Sequence, residues 1–292
     1  MKKPDRASGR GIRRTSTGLV LLAIILAGCG ANEESGSSSG TEFATQAGHI
    51  HGLGVNPIDD ALFIATHSGL FRSPSGSSAA ERVGSSTQDI MGFSVAGPDH
   101  FFGSGHPEPG TQGPPNLGLI ESRDAGVSWQ EVSLLGEADF HVLRYSGDRV
   151  YGYNGLSGQL MISADRGVSW QSSNVPEPLF DLAVNPRRPN HLIASTELGI
   201  IERTTNSGWT RLGDQIGLLS WPDDGPLFVV EGDGKVSVSA DGGGSWKSRG
   251  RLPEAPVALT SSSADDIYAA LKSGTILNSN DGGRTWTTRV RP

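Results

Sequence analysis

One octapeptide pattern, Ser-x-Asp-x-Gly-x-x-Trp, constrains this chain more than any other feature. It occurs at 122–129 (SRDAGVSW), 163–170 (SADRGVSW), 239–246 (SADGGGSW) and 279–286 (SNDGGRTW), with a worn copy at 204–209 (TTNSGW). Counted at the central residue, Asp124, Asp165, Asn206, Asp241 and Asp281 are separated by 41, 41, 35 and 40 residues, the length of one four-stranded propeller blade. Five of the six tryptophans (129, 170, 209, 246, 286) occupy the last position of the pattern. Within such a unit the Asp and Ser bond local backbone, the Gly supplies a positive backbone angle, and the Trp opens the next strand and packs between blades. Asp124, Asp165, Asp241 and Asp281 are therefore expected to be structural, as are Trp129, Trp170, Trp246 and Trp286.

These copies resemble the BNR or Asp-box repeat of sialidase-like, sortilin-like and photosystem-assembly propellers. The resemblance implies an all-β propeller with the box between the third and outer strands of each blade. Six four-stranded units are expected, at 47–85, 86–134, 137–175, 178–213, 215–250 and 254–290. The first lacks a box, but its His51-Gly-Leu-Gly-Val-Asn-Pro57 aligns with Phe180-Asp-Leu-Ala-Val-Asn-Pro186. A seventh blade would need strands from residues 41–46.

The N-terminus carries Lys2, Lys3, Arg6, Arg10, Arg13 and Arg14, then an apolar run from Leu19 to Leu26, then Leu26-Ala27-Gly28-Cys29. It resembles a bacterial lipoprotein signal ending in a lipobox, which implies removal of residues 1–28 and lipidation of Cys29. Residues 29–46 read as a Gly/Ser-rich tether and 47–292 as the propeller. The expected protein is an extracytoplasmic monomer anchored to the cell membrane by lipid, and with a single cysteine it has no disulfide. Loss of the signal takes away six of 24 basic residues and one of 31 acids, leaving 18 against 30 and a net charge of −12. Such a surface argues against nucleic acid as a partner.

Antiparallel strand order places the connections into each inner strand, and those between the second and third strands, on one face. Five of the seven histidines fall there, in blades 1 to 3. His51 and His141 share an inner-strand position with Met91, His67 and His106 end second strands, and His49 precedes His51 by two residues. Converging imidazoles suit a transition metal, with copper or zinc the expected ion and Met91 a soft donor for copper. A metal-free ligand or catalytic site and a polar channel lining are the alternatives. His100 and His191 map to the opposite face. The irregular insert 105–116 of blade 2 lies over the same region, and Glu108, Asp139 and Glu197 are the candidate catalytic acids.

Three functions remain open. The His-x-His-Gly-Leu-Gly start, the Ala-Thr-His-x-Gly-Leu-Phe stretch and the Gly-His-Pro turn resemble actinobacterial lipoproteins labelled glycosyl hydrolases, which implies a hydrolase. A sialidase site is not recognisable: Phe71-Arg72-Ser73-Pro74 falls in a third strand, and Arg144 is the lone inner-strand arginine. The other readings are a tethered protein binding a metal ion or metal-bearing ligand, and a non-enzymatic scaffold for a protein or peptide. A glycan partner goes with the hydrolase reading.

Overall fold

The computed structural model describes residues 43, 46–204 and 208–292. The expected signal peptide, the lipidation site Cys29, nearly all of the tether and Asn206 of the worn repeat lie outside these residues. The chain divides into Met1–Gly36 and Ser37–Pro292, and the second unit carries the fold. Among the described residues no helix is long and apolar enough to cross a membrane.

The fold is a six-bladed propeller. Six four-stranded antiparallel sheets are each built from four consecutive strands, spanning 50–82, 89–133, 140–174, 179–213, 217–251 and 256–290. The inner strands are Ile50–Val55, Asp89–Gly97, Phe140–Ser146, Leu179–Val184, Gly217–Ser220 and Pro256–Ser261. Each blade is half apolar on both faces because it is sandwiched between two others, which is why second strands such as Leu62–Thr66 and Ile267–Leu271 are buried at every residue.

Six apolar clusters fill the six spaces between neighbouring blades. Trp129, Trp170, Trp209, Trp246 and Trp286 each join the cluster between their own blade and the preceding one. Blade 1 has no such tryptophan. Its boundary with blade 6 is filled by Phe43 and Ala47, with Phe43 edge-on to Phe71 at 5.3 Å between ring centroids. Among the described residues no strand is exchanged between blades 6 and 1, and the ring closes there through this packing and through Arg289, which donates to Ser73 Oγ at 2.9 Å and to the Pro74 carbonyl at 2.6 Å. Phe43 is 3% exposed, so packed structure begins upstream of the tether boundary expected at 46.

Each of the four full repeats forms the same hydrogen-bonded turn. In the copy at 163–170, Ser163 Oγ donates to Asp165 Oδ1 at 2.7 Å and accepts from Gly167 N at 2.7 Å, while Ser169 donates to Asp165 through N at 2.9 Å and through Oγ at 2.5 Å. The copies around Asp124, Asp241 and Asp281 repeat these contacts. Accepting this many bonds favours the ionised acid, and the side-chain and backbone donors of Ser169 and Ser245 hold Asp165 and Asp241 at about 2. These carboxylates are consumed by the turn.

Candidate functional site

Five of the six inner strands carry a β-bulge after their first paired residues, and the unpaired residues are His51, Met91, His141, Phe180 and Val257. A bulge turns one side chain out of the alternation of its strand. Here it turns the same position of successive blades toward one mouth of the ring. That mouth is imidazole-rich over blades 1 to 3 and apolar beyond, where Phe180 is 47% and Val257 38% exposed.

Two buried carboxylates organise the histidines. Asp89, the first residue of the blade 2 inner strand, has Oδ1 3.4 Å from His51 Nε2 and Oδ2 2.9 Å from His67 Nδ1 and 3.2 Å from His106 Nδ1. Asp139 has Oδ2 2.9 Å from His141 Nε2 and 3.7 Å from His106 Nε2. His106 therefore lies between the two acids, one ring nitrogen toward each. The turn carrying His67 is fixed by Thr66 Oγ1, which donates to the Gly69 carbonyl at 2.8 Å and accepts from Ser68 N at 3.2 Å.

The cluster is incompletely bonded. His51 Nε2, Asp89 Oδ1 and Asp139 Oδ1 are buried without a hydrogen-bond partner, and each orphan of this kind costs about 1–3 kcal/mol. Burial pushes the His51 imidazole below its ordinary 6.5 against the opposing pull of Asp89, leaving a neutral nitrogen donor. Burial also acts to raise Asp139, but the hydrogen bond and charge of His141, with His106, hold it below the usual carboxylate range. The same hydrogen bond raises His141.

One ligand atom each from His51, His67 and Asp89 lies within 4.8 Å of the others. Tetrahedral zinc with bonds of about 2.0–2.1 Å sets its donors about 3.3 Å apart. The 3.4 Å between His51 Nε2 and Asp89 Oδ1 is close to that spacing. Two imidazoles and a carboxylate fit zinc or copper(II), with an open position for a further ligand.

Of the residues expected at the site, His51, His67, His106, His141 and Asp139 are brought together. Met91 stands half-buried at the blade 2 bulge, between the His51 and His141 positions of the ring. His49 lies outside the triad; its carbonyl accepts from His67 N at 2.9 Å. Glu108 is exposed and pins the insert by accepting from Thr87 N at 2.9 Å. Glu197 is exposed on a blade 4 turn built like that of His67, with Thr196 Oγ1 donating to the Gly199 carbonyl at 2.9 Å. His100 and His191 pair with Glu121 at 2.6 Å and Glu202 at 2.7 Å, away from the cluster. Asp89 is the residue that sequence reasoning missed. Its signal was register: Asp89 precedes Met91 by two residues, as Asp139 precedes His141 and His49 precedes His51.

No protein-family model matches the chain, and no curated protein matches it. Solved structures similar to it include YCF48 bound to D1 peptide, with a TM-score of 0.53 and 17% identity over 83% of this chain and 82% of that one. The Niastella koreensis GH74 enzyme gives 0.62 and 14% over 83% of this chain and 45% of its own, so the chain spans less than half of that enzyme. A chain of a Nidogen/Laminin complex gives 0.62 and 12% over 80% of this chain and 93% of that one. At these identities the likeness is one of fold, and it defines a β-propeller.

Proposed function

We propose that the protein is a lipid-tethered, extracytoplasmic propeller that binds a divalent transition metal, zinc or copper, at His51, His67 and Asp89. His106, Asp139 and His141 form the adjoining wall. The observation that carries this reading is the convergence of three donor atoms within 4.8 Å, two of them on residues with orphaned buried atoms. A bound cation would satisfy His51 Nε2 and Asp89 Oδ1 together and offset the cost of burying them. In this role the protein holds an ion, or a ligand that carries one, without turnover. Zinc and copper titration of the chelator-stripped protein tests it: near-stoichiometric binding that disappears in His67→Ala with His106→Ala is expected, and equal binding in that double variant refutes the assignment.

A second reading, capture of a protein or peptide, draws on exposed Phe180 and Val257 at the apolar side of the same mouth. The peptide seen with YCF48 makes it a comparison worth running. It predicts partner binding that is indifferent to metal. Glycoside hydrolysis, the third, requires two carboxyl groups free to work as acid and base or nucleophile. The two carboxylates of this site, Asp89 and Asp139, are both clasped by imidazoles.

A further inference from the structure

The opposite mouth of the ring holds a cavity of about 620 Å³ lined by the inner strands of all six blades and the turns that follow them. Its size falls in the roughly 300–1,000 Å³ range of small-ligand sites. Trp221, the one tryptophan outside the repeat motif, forms part of its wall. It follows the blade 5 inner strand and is half-buried, its ring at 77° to that of His191 with 5.5 Å between centroids. Tyr145 of blade 3 lines the cavity too, its ring packed on Phe102 at 5.6 Å and its hydroxyl donating to Asp148 at 3.0 Å. Two aromatic rings are thus fixed in place beside a water-accessible space.

The polar lining is rich in hydroxyls and poor in available charge of one sign. Ser220 and Ser261 are paired at 2.6 Å, whereas Ser146 and Thr260 make no side-chain hydrogen bond among the described residues. Asp60 and Asp223 likewise present carboxylates without a hydrogen bond or ion pair there. The single cation in the lining, Arg144, is paired with Asp181 through Nη2 and spends three of its five N–H groups on protein acceptors, Nε and Nη1 donating to the Leu182 and Leu143 carbonyls, both at 2.9 Å. An anionic ligand would meet two free carboxylates and a guanidinium whose charge is already paired with Asp181.

From this lining we infer that the cavity is a second binding site, for a neutral saccharide. A sugar ring offers an apolar face to an aromatic plane, and its hydroxyls donate to acceptor-only carboxylates while exchanging bonds with Ser and Thr hydroxyls. A small organic cation is the competing ligand for aromatics with carboxylates, held best in a tight aromatic cage. Trp221 and Tyr145 stand on blades 5 and 3 with blade 4 between them, a spacing suited to a larger ligand bearing many hydroxyls. The site is on the face away from the cluster of His51, His67, His106 and His141, so it stands or falls independently of the metal reading.

The test is a panel of neutral oligosaccharides, with choline as the cationic probe, screened against the full-length protein after chelator treatment and followed by calorimetry on any hit. Binding of a neutral saccharide is expected, weakened at least about tenfold in Trp221→Ala, partly restored in Trp221→Phe, and unchanged in His67→Ala with His106→Ala. Thr260→Val, which removes one free hydroxyl and no aromatic packing, should weaken it as well and serves if Trp221→Ala does not fold. No saccharide binding, choline binding alone, or saccharide binding indifferent to both Trp221 and Thr260 would overturn the inference.

Discussion

Asp89 of blade 2 accepts His67 of blade 1 at 2.9 Å, so one carboxylate bridges two blades and fixes the most exposed imidazole of the cluster. His67 has a side chain 62% exposed, yet its partner is 9% exposed. A buried acid aiming an accessible histidine is the arrangement that orients a metal ligand, and loss of such an acid typically costs about 10–100-fold in metal affinity. Asp89→Asn is therefore expected to weaken zinc or copper by at least that factor, whether Asp89 ligates directly or orients His67. Unchanged affinity by competition titration with a chromophoric chelator would remove Asp89 from the site.

Metal binding should also register as stability. At a free ion concentration of about 100 times Kd the linkage is about 2.7 kcal/mol, or roughly 5–10 °C in Tm for a domain of this size. Calorimetric scans with and without ion should show that rise in the parent and not in His67→Ala with His106→Ala.

Gly105 tests the scaffold beneath the site without touching a donor. Its φ is +148°, and a Cβ there would stand 2.1 Å from the Asp89 carbonyl oxygen. Gly105→Ala must displace the backbone of Asp89 or the strand end carrying His106. It should cost about 1–3 kcal/mol and reduce metal affinity, and a crystal structure of the variant should show Asp89 moved.

The repeat hairpins set an acid limit. Asp165 and Asp241 are depressed from 3.8 to about 2 in the fold, so the stability they contribute is present above about pH 4 and is lost as pH falls toward 2. Urea midpoints should drop between about pH 5 and pH 2.5, and the drop should be smaller in Asp165→Asn with Asp241→Asn, which are destabilised already at the higher pH. Hairpin acids that were unperturbed would give the same drop in parent and variant.

Phe43 seals the boundary where the ring closes. Phe43→Ala should cost about 3–5 kcal/mol, the range for a buried aromatic, and a chain begun at 47 should be less stable than one begun upstream of Phe43 by a comparable amount. Equal urea midpoints would contradict the packing.

The blades were legible because a tryptophan every 37 to 41 residues marks an interface, and each interface repeats. Phe43 was not, because an isolated apolar residue in a Gly/Ser-rich stretch has no period to betray it. The histidines were legible by superposing inner strands. Asp89 escaped because a lone acid at the start of a strand carries no motif, and only its register, two residues before the bulge as in Asp139, marks it. His49 was placed with His51 by simple strand alternation, but the bulge at His51 interrupts that alternation. Glu108 reads in the sequence as a loop acid over the site, but the backbone amide of Thr87 claims it.

The most direct test of the central claim is elemental analysis of the purified full-length protein, paired with zinc and copper titration of its chelator-stripped form. About one equivalent of zinc or copper, abolished by His67→Ala with His106→Ala, is the predicted result. A protein that carries neither metal and binds neither on titration would contradict the account, and would leave the histidine cluster as a polar lining held together by Asp89 and Asp139.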